Sequence, residues 1–152
     1  MTKSLATLVD IMPTLARVTG ITPPRDWSFD GRDLSPILRN PKASVQDEIL
    51  FTFDDQRAAF ANNISTTRQP NHIRCIRTKE WKYAYYFDPK ELSSPSLAQP
   101  REYEMYNLAD DPHEVHNLGN PTVRGYDLRR NVKMRKALAA QLDKLVAARL
   151  AP

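Results

Sequence analysis

The residues of this sequence that could do chemistry fall in three places. Cys75 is the single cysteine, which excludes an internal disulfide framework and leaves only thiolate chemistry to weigh. It stands in Cys75-Ile76-Arg77-Thr78, mid-strand by pattern, where a cysteine serves as a small buried hydrophobe rather than a nucleophile. His113-Glu114-Val115-His116 sets two histidines three apart beside acids. Zinc sites of the His-Glu-x-x-His type need the histidines four apart on one helix face. Pro112 breaks this stretch, so it reads as a turn and not as a metal centre. The third group is Asp54, Asp55, Gln56 and Arg57, with His72 beyond. They border a polar stretch running to Asn71, an excursion loop of the kind that often carries binding residues.

Elements able to position these groups can be read from periodicity. Asp10 suits a helix N-cap, Pro13 the first turn, and Gly20 a left-handed C-terminus. Ile11, Met12, Leu15, Ala16 and Val18 share one face at helical spacing, so this short helix needs a partner surface. Residues 21–46 form a Pro-rich connector with an Asp30-Gly31 turn and a short helix that Asp33 could cap, ended by Pro41. Periodicity then changes. Strands are expected at Asp47 to Phe53, His72 to Thr78, Trp81 to Phe87 and Arg101 to Leu108. In the third, Trp81, Tyr83, Tyr85 and Phe87 alternate onto one face, the mark of a half-buried strand. Lys79-Glu80 leaves a hairpin spacing without favoured hairpin residues. Loops, not helices, join the strands, so the sheet should be antiparallel.

A final helix is expected from about Asp127 to Leu150. Leu128, Val132, Met134, Leu138, Leu142, Leu145, Val146 and Leu150 make its apolar stripe. Arg135 and Arg149 fall inside the stripe, where buried stems and exposed heads would suit them. The fold class is therefore α+β: a roughly four-stranded antiparallel sheet with a long C-terminal helix packed on one face, preceded by a short helix.

Composition bounds the function. The 152 residues carry 41% hydrophobic and 26% charged residues, ordinary for a globular domain. Twelve prolines against four glycines imply many fixed corners. No apolar run approaches the roughly 20 residues of a membrane span, and no basic segment followed by an apolar one marks a signal peptide. Cytoplasm and periplasm are thus not distinguished. Net charge is +4 and mostly interspersed. Arg124, Arg129, Arg130, Lys133, Arg135 and Lys136 are the exception, opposed only by Asp127. A solvated helix face is the default reading of such a run, and no nucleic-acid partner is expected.

Four segments, in order, resemble one family. Val9-Asp10-Ile11-Met12-Pro13-Thr14-Leu15 through Gly20 is similar to the V-D-L-x-P-T-L…G of type I sulfatases, members of the alkaline-phosphatase-like superfamily. Asp30-Gly31-Arg32-Asp33-Leu34-Ser35-Pro36-Ile37-Leu38 resembles their D-G-x-S-L-x-P-L-L, with Asp33 in place of the commoner Ser. Arg77-Thr78 followed by Lys82-Tyr83 resembles R-T-x-x-x-K-Y. Glu104 to Leu108 and Asp111 to Leu118 resemble E-L-Y-D-L…D-P-x-E-x-x-N-L.

The resemblance implies the C-terminal region of such an enzyme. Residues 1–22 would be the last helix of a larger α/β catalytic domain, 23–46 a connector and 47–152 the C-terminal subdomain. The partner implied is that catalytic domain; the apolar face of residues 11–18 also offers a surface for self-association, and no membrane partner is expected. The family's nucleophile is a formylglycine made from Cys or Ser in C/S-x-P/A-x-R, helped by a calcium-type divalent cation. Cys75 lacks that context, so this chain is expected to hold neither catalytic residues nor a metal. Asp54, Asp55, Arg57 and His72 would be substrate-rim residues. Two other readings stay open: the same region of a phosphonate or phosphate monoester hydrolase, and an independent interaction or nucleic-acid-binding domain.

Overall fold

A 3-10 turn at Leu8–Asp10 runs directly into the first helix, α1 (Ile11–Thr19). The helical path therefore begins at Thr7, a turn earlier than an N-cap at Asp10 requires, and the Asp10 side chain caps nothing in α1. Freed from that task, its fully buried carboxylate gathers the surrounding chain. It accepts hydrogen bonds from Thr7 N–H (2.8 Å), Arg32 N–H (2.7 Å) and Gln46 Nε2 (2.8 Å). Three donors satisfy a carboxylate that burial alone would penalise heavily. Thr14 Oγ1 donates to the Asp10 carbonyl and accepts from Leu34 N–H. Gly20 ends α1 in the left-handed region at φ 74°, where a residue without a Cβ is favoured.

The computed structural model describes residues 2–54, 60–61, 64–65, 72–87, 102–119 and 128–150. The chain divides into two units, Met1–Ile49 and Leu50–Pro152. In the first, α2 (Ser35–Arg39) follows Asp33, whose carboxylate accepts from the Ser35 N–H (2.8 Å) and Oγ (2.9 Å). Gly31 is required by packing: a Cβ there would lie 2.1 Å from the Val9 carbonyl oxygen. Residues 23–46 are thus tied to α1 through Asp10 and Thr14.

Most of the second unit is a four-stranded antiparallel sheet and one helix. Its strands are β1 (Glu48–Asp54), β4 (His72–Thr78), β5 (Trp81–Phe87) and β6 (Tyr103–Asn107), in the order β1-β4-β5-β6. β4 and β5 pair from His72↔Phe87 to Arg77↔Lys82, and β5 and β6 from Trp81↔Asn107 to Tyr85↔Tyr103. Thr78 supplies what Lys79-Glu80 lacks: its Oγ1 accepts from Trp81 N–H at 3.0 Å and closes the hairpin. β2 (Phe60–Ala61) and β3 (Ile64–Ser65) form a separate small antiparallel pair. That pair sits where the sequence suggested only a loop, because two-residue strands are too short to show a period.

The last helix, α3 (Leu128–Leu150), packs on one sheet face. Ile76, Tyr83, Met105, Leu138 and Leu142 form the core, with Trp81, Tyr85, Tyr103, Met134, Leu145 and Val146 around it. Among the described side chains, the stripe read from sequence holds from Val132 to Val146, with two changes. Asn131 is buried ahead of it, and Leu150 is exposed. Arg135 is more than a stem in this layer, since its guanidinium carbon lies 4.9 Å from the Tyr103 ring centre, a cation–π distance. No helix among the described residues is long and apolar enough to cross a membrane.

Candidate functional site

Antiparallel pairing carries Asp54, at the end of β1, to the start of β4. His72 Nδ1 lies 2.7 Å from Asp54 Oδ1, and Arg74 Nη1 lies 2.8 Å from the same oxygen. The His72 ring packs on Phe87, its cross-strand partner, with centroids 5.3 Å apart. Arg74 sits 5.0 Å over that same Phe87 ring. Burial by itself pushes the Asp54 carboxyl up, but the hydrogen bonds from Arg74 and His72 outweigh it and hold the group below its ordinary range. An ionised Asp54 only accepts, so Nδ1 of His72 is the donor in this contact. Two of the sequence candidates, Asp54 and His72, are thereby brought together, and Arg74 joins them. Asp55 and Arg57 lie outside the described residues, as does Gln56.

On the sheet face away from α3 lies a second arrangement. Phe51, Ile73, Cys75, Ala84 and Tyr86 floor a cavity of about 350 Å³, rimmed by Arg77, Lys82, Glu104 and Glu114. Lys82 Nζ is 2.5 Å from Glu114 Oε2, and Arg77 Nη1 is 3.7 Å from Oε1. Glu114 reaches them from a left-handed backbone position, φ 57°. The Asp111 carboxylate builds that turn, accepting from the N–H groups of Val115 (3.1 Å) and His116 (2.8 Å). Those two hydrogen bonds, His116 first, lower the Asp111 pKa. The segment His113 to His116 is therefore an Asp-capped turn that delivers a counter-ion. Sequence reasoning left this rim unnamed, although Lys82, Ala84 and Tyr86 are the alternate set to the aromatic face.

Asn117 finishes the same segment. Its Oδ1 accepts from Met105 N–H (3.0 Å) and Gly119 N–H (2.8 Å), while Nδ2 donates to the Tyr103 carbonyl (3.0 Å). Leu118 N–H then bonds the Met105 carbonyl at 2.7 Å. The open edge of β6 is thus paired by a side chain and one amide, which removes a sticky strand edge.

Neither arrangement fits a hydrolytic metal centre. Among the described residues no three His, Cys, Asp or Glu side chains come together, whereas hard cations want several oxygen ligands at once. Cys75 is buried, and burial pushes its thiol up to about 11, the reverse of an activated nucleophile. Nor do its neighbours Ile76, Arg77 and Thr78 match a formylglycine maturation motif.

In the first unit, the apolar side of α1 faces solvent. Leu8 (82% exposed), Ile11, Met12, Leu15, Val18 and Ile21 are all exposed, at spacings that place Leu8, Ile11, Met12 and Leu15 on one stripe. Such a run is unusual on a surface that meets only water.

No family model matches the chain. Curated proteins do. Human (Homo sapiens) arylsulfatase A is 30% identical over 95% of this chain and 28% of its own length. Arylsulfatase K of Rattus norvegicus is 32% identical over 76% of this chain and 18% of its own length. The chain thus spans about a quarter or less of these relatives. Among solved structures, a 2-O GAG sulfatase superposes with a TM-score of 0.60 and 22% identity, over 93% of this chain and 25% of that one.

Proposed function

Because this chain belongs to the sulfatase family, matching its C-terminal region, we propose that it is the structural C-terminal module of a sulfuric ester hydrolase and is not catalytic by itself. The observation that carries the reading is the match to arylsulfatase A, which runs through 95% of this chain and only 28% of that protein. The physical arrangement supports it. Each family-like segment does structural work here: Asp10, Thr14 and Gly31 lock the first unit, and Asp111, Glu114 and Asn117 lock the edge of the sheet.

Three surfaces take roles on this reading. The exposed apolar stripe of α1 and the cavity-bearing sheet face dock against the catalytic domain. Residues 1–22 belong with that domain, and the Asp10 bonds to Arg32 and Gln46 draw residues 23–46 along with them; residues 47–152 are the subdomain proper. The Asp54–His72–Arg74 group, with Asp55 and Arg57, borders the substrate pocket. The formylglycine and a calcium-type cation would be supplied by the catalytic domain, since the side chains described in this chain do not suit them.

The test is enzymatic. Purified chain should show no turnover of an aryl sulfate with or without calcium; turnover abolished by Cys75→Ala would sink the proposal. In the parent enzyme, His72→Ala should raise KM for the sulfate ester while kcat changes little. An unchanged KM would remove the rim assignment alone.

A further inference from the structure

The first fifteen residues of α3, Leu128 to Leu142, hold five cations and no carboxylate. Arg135 is occupied by the Tyr103 ring. Arg129, Lys133 and Lys136 are all exposed. At about 100° per residue they fall within roughly 60° of one another, along about 10 Å of helix. The core-facing Leu138 and Leu142 lie about half a turn away on the opposite side. The stripe therefore points outward from the sheet, and docking of the other sheet face leaves it accessible. Arg129 stands in the first turn of α3, where the helix N-terminus disfavours a cation and no acidic residue is present; the first carboxylate within the helix is Asp143, two turns beyond Lys136. An external anion complements all three cations.

We propose that the outer face of α3 is an exosite for a polysulfated polysaccharide, whose sulfates neutralise Arg129, Lys133 and Lys136. The choice of polymer rests on the sulfatase reading, and the composition of the face agrees with it. Sulfate monoesters are fixed anions, and successive sulfates along an extended sugar chain match successive cations along a helix. A single-stranded nucleic acid would instead need aromatic platforms for its bases. α3 contains no aromatic residue, and Trp81, Tyr83, Tyr85 and Tyr103 are engaged in the core layer beneath it. The stripe holds the polymer near the enzyme between cleavage events; it takes no part in bond breaking.

The test uses the full 152-residue chain with heparin, chemically desulfated heparin and an oligothymidylate of similar length as probes. The chain should bind heparin, with log K falling against log salt at a slope of about −2 to −3 for three neutralised charges. Desulfated polymer and oligothymidylate should bind more weakly. The triple variant R129A/K133A/K136A should lose about tenfold or more in affinity, flatten the salt slope and melt at no lower a temperature than the natural chain. Lys42→Ala, an exposed cation of the first unit, should change nothing. Equal heparin binding by the triple variant overturns the exosite, and so does tighter binding of oligothymidylate than of heparin. Neither readout depends on sulfatase activity. A parent enzyme inactive on sulfate esters would count against the proposed function only, while unchanged heparin binding by the variant would count against the exosite only.

Discussion

The Asn117 carboxamide lies alongside Met105 and takes the place of a neighbouring strand, its Oδ1 accepting the Met105 N–H at 3.0 Å. With the bonds to the Tyr103 carbonyl and Gly119 N–H, one side chain serves three backbone groups. Asn117→Ala leaves all three to find other partners, at about 1–3 kcal/mol for a part-buried group stranded in this way. Urea unfolding should show the loss as a lower midpoint at constant slope. Asn117→Asp, which keeps the acceptor and loses the donor, should cost less.

Gly31 has no room to grow. A Cβ would sit 2.1 Å from the Val9 carbonyl oxygen and 2.7 Å from the Asp10 nitrogen, both backbone atoms that cannot rotate away. Gly31→Ala should destabilise the first unit by about 1–3 kcal/mol, as overpacking does. Limited proteolysis should find new cleavage within residues 1–49, while the second unit keeps its resistance.

Acid should loosen the strand end at Asp54. Its folded carboxyl titrates below its ordinary value, so the stabilisation is complete above the unfolded pKa of about 3.9 and is lost as pH falls through the folded value. Melting temperature measured from pH 5 down to about 2 should fall less steeply for Asp54→Asn than for the natural chain. Parallel curves would show that Asp54 is not held by His72 and Arg74.

Cys75 should be silent towards thiol reagents in the native state. With its thiol pushed up to about 11, burial disfavours the thiolate; the folded state's advantage is complete below the unfolded pKa of about 8.5 and is lost as pH rises from there through 11. A chromogenic disulfide reagent at pH 8 should label no thiol rapidly in buffer and one per chain in denaturant.

Leu142 is fully buried at the centre of the helix–sheet layer. Leu142→Ala should cost about 2–5 kcal/mol, the range for a large aliphatic removed from a packed core. A far-UV circular dichroism melt should read the loss.

Local pattern was enough to reveal the elements themselves. The alternation of Trp81, Tyr83, Tyr85 and Phe87 named the face that meets α3, since a side-chain period of two has one buried phase. The stripe around Leu138 and Leu142 named the helix and its inner side, and Gly20 its left-handed stop in α1. Family likeness was also visible in short runs such as Asp10-Ile-Met-Pro13, although what those residues do was not.

Tertiary structure decided the partners. Asp10 read as a cap because its type prefers caps, yet its three donors come from Thr7, Arg32 and Gln46, two of them over twenty residues away. Asp54, His72 and Arg74 share one carboxylate because β1 pairs with β4 across the excursion loop. Lys82 meets Glu114 only because the Asp111 turn sets Glu114 at φ 57°. The reason is common to all three: periodicity reports which way a side chain points, whereas hydrogen bonds and ion pairs depend on where distant backbone ends after the chain has closed its loops.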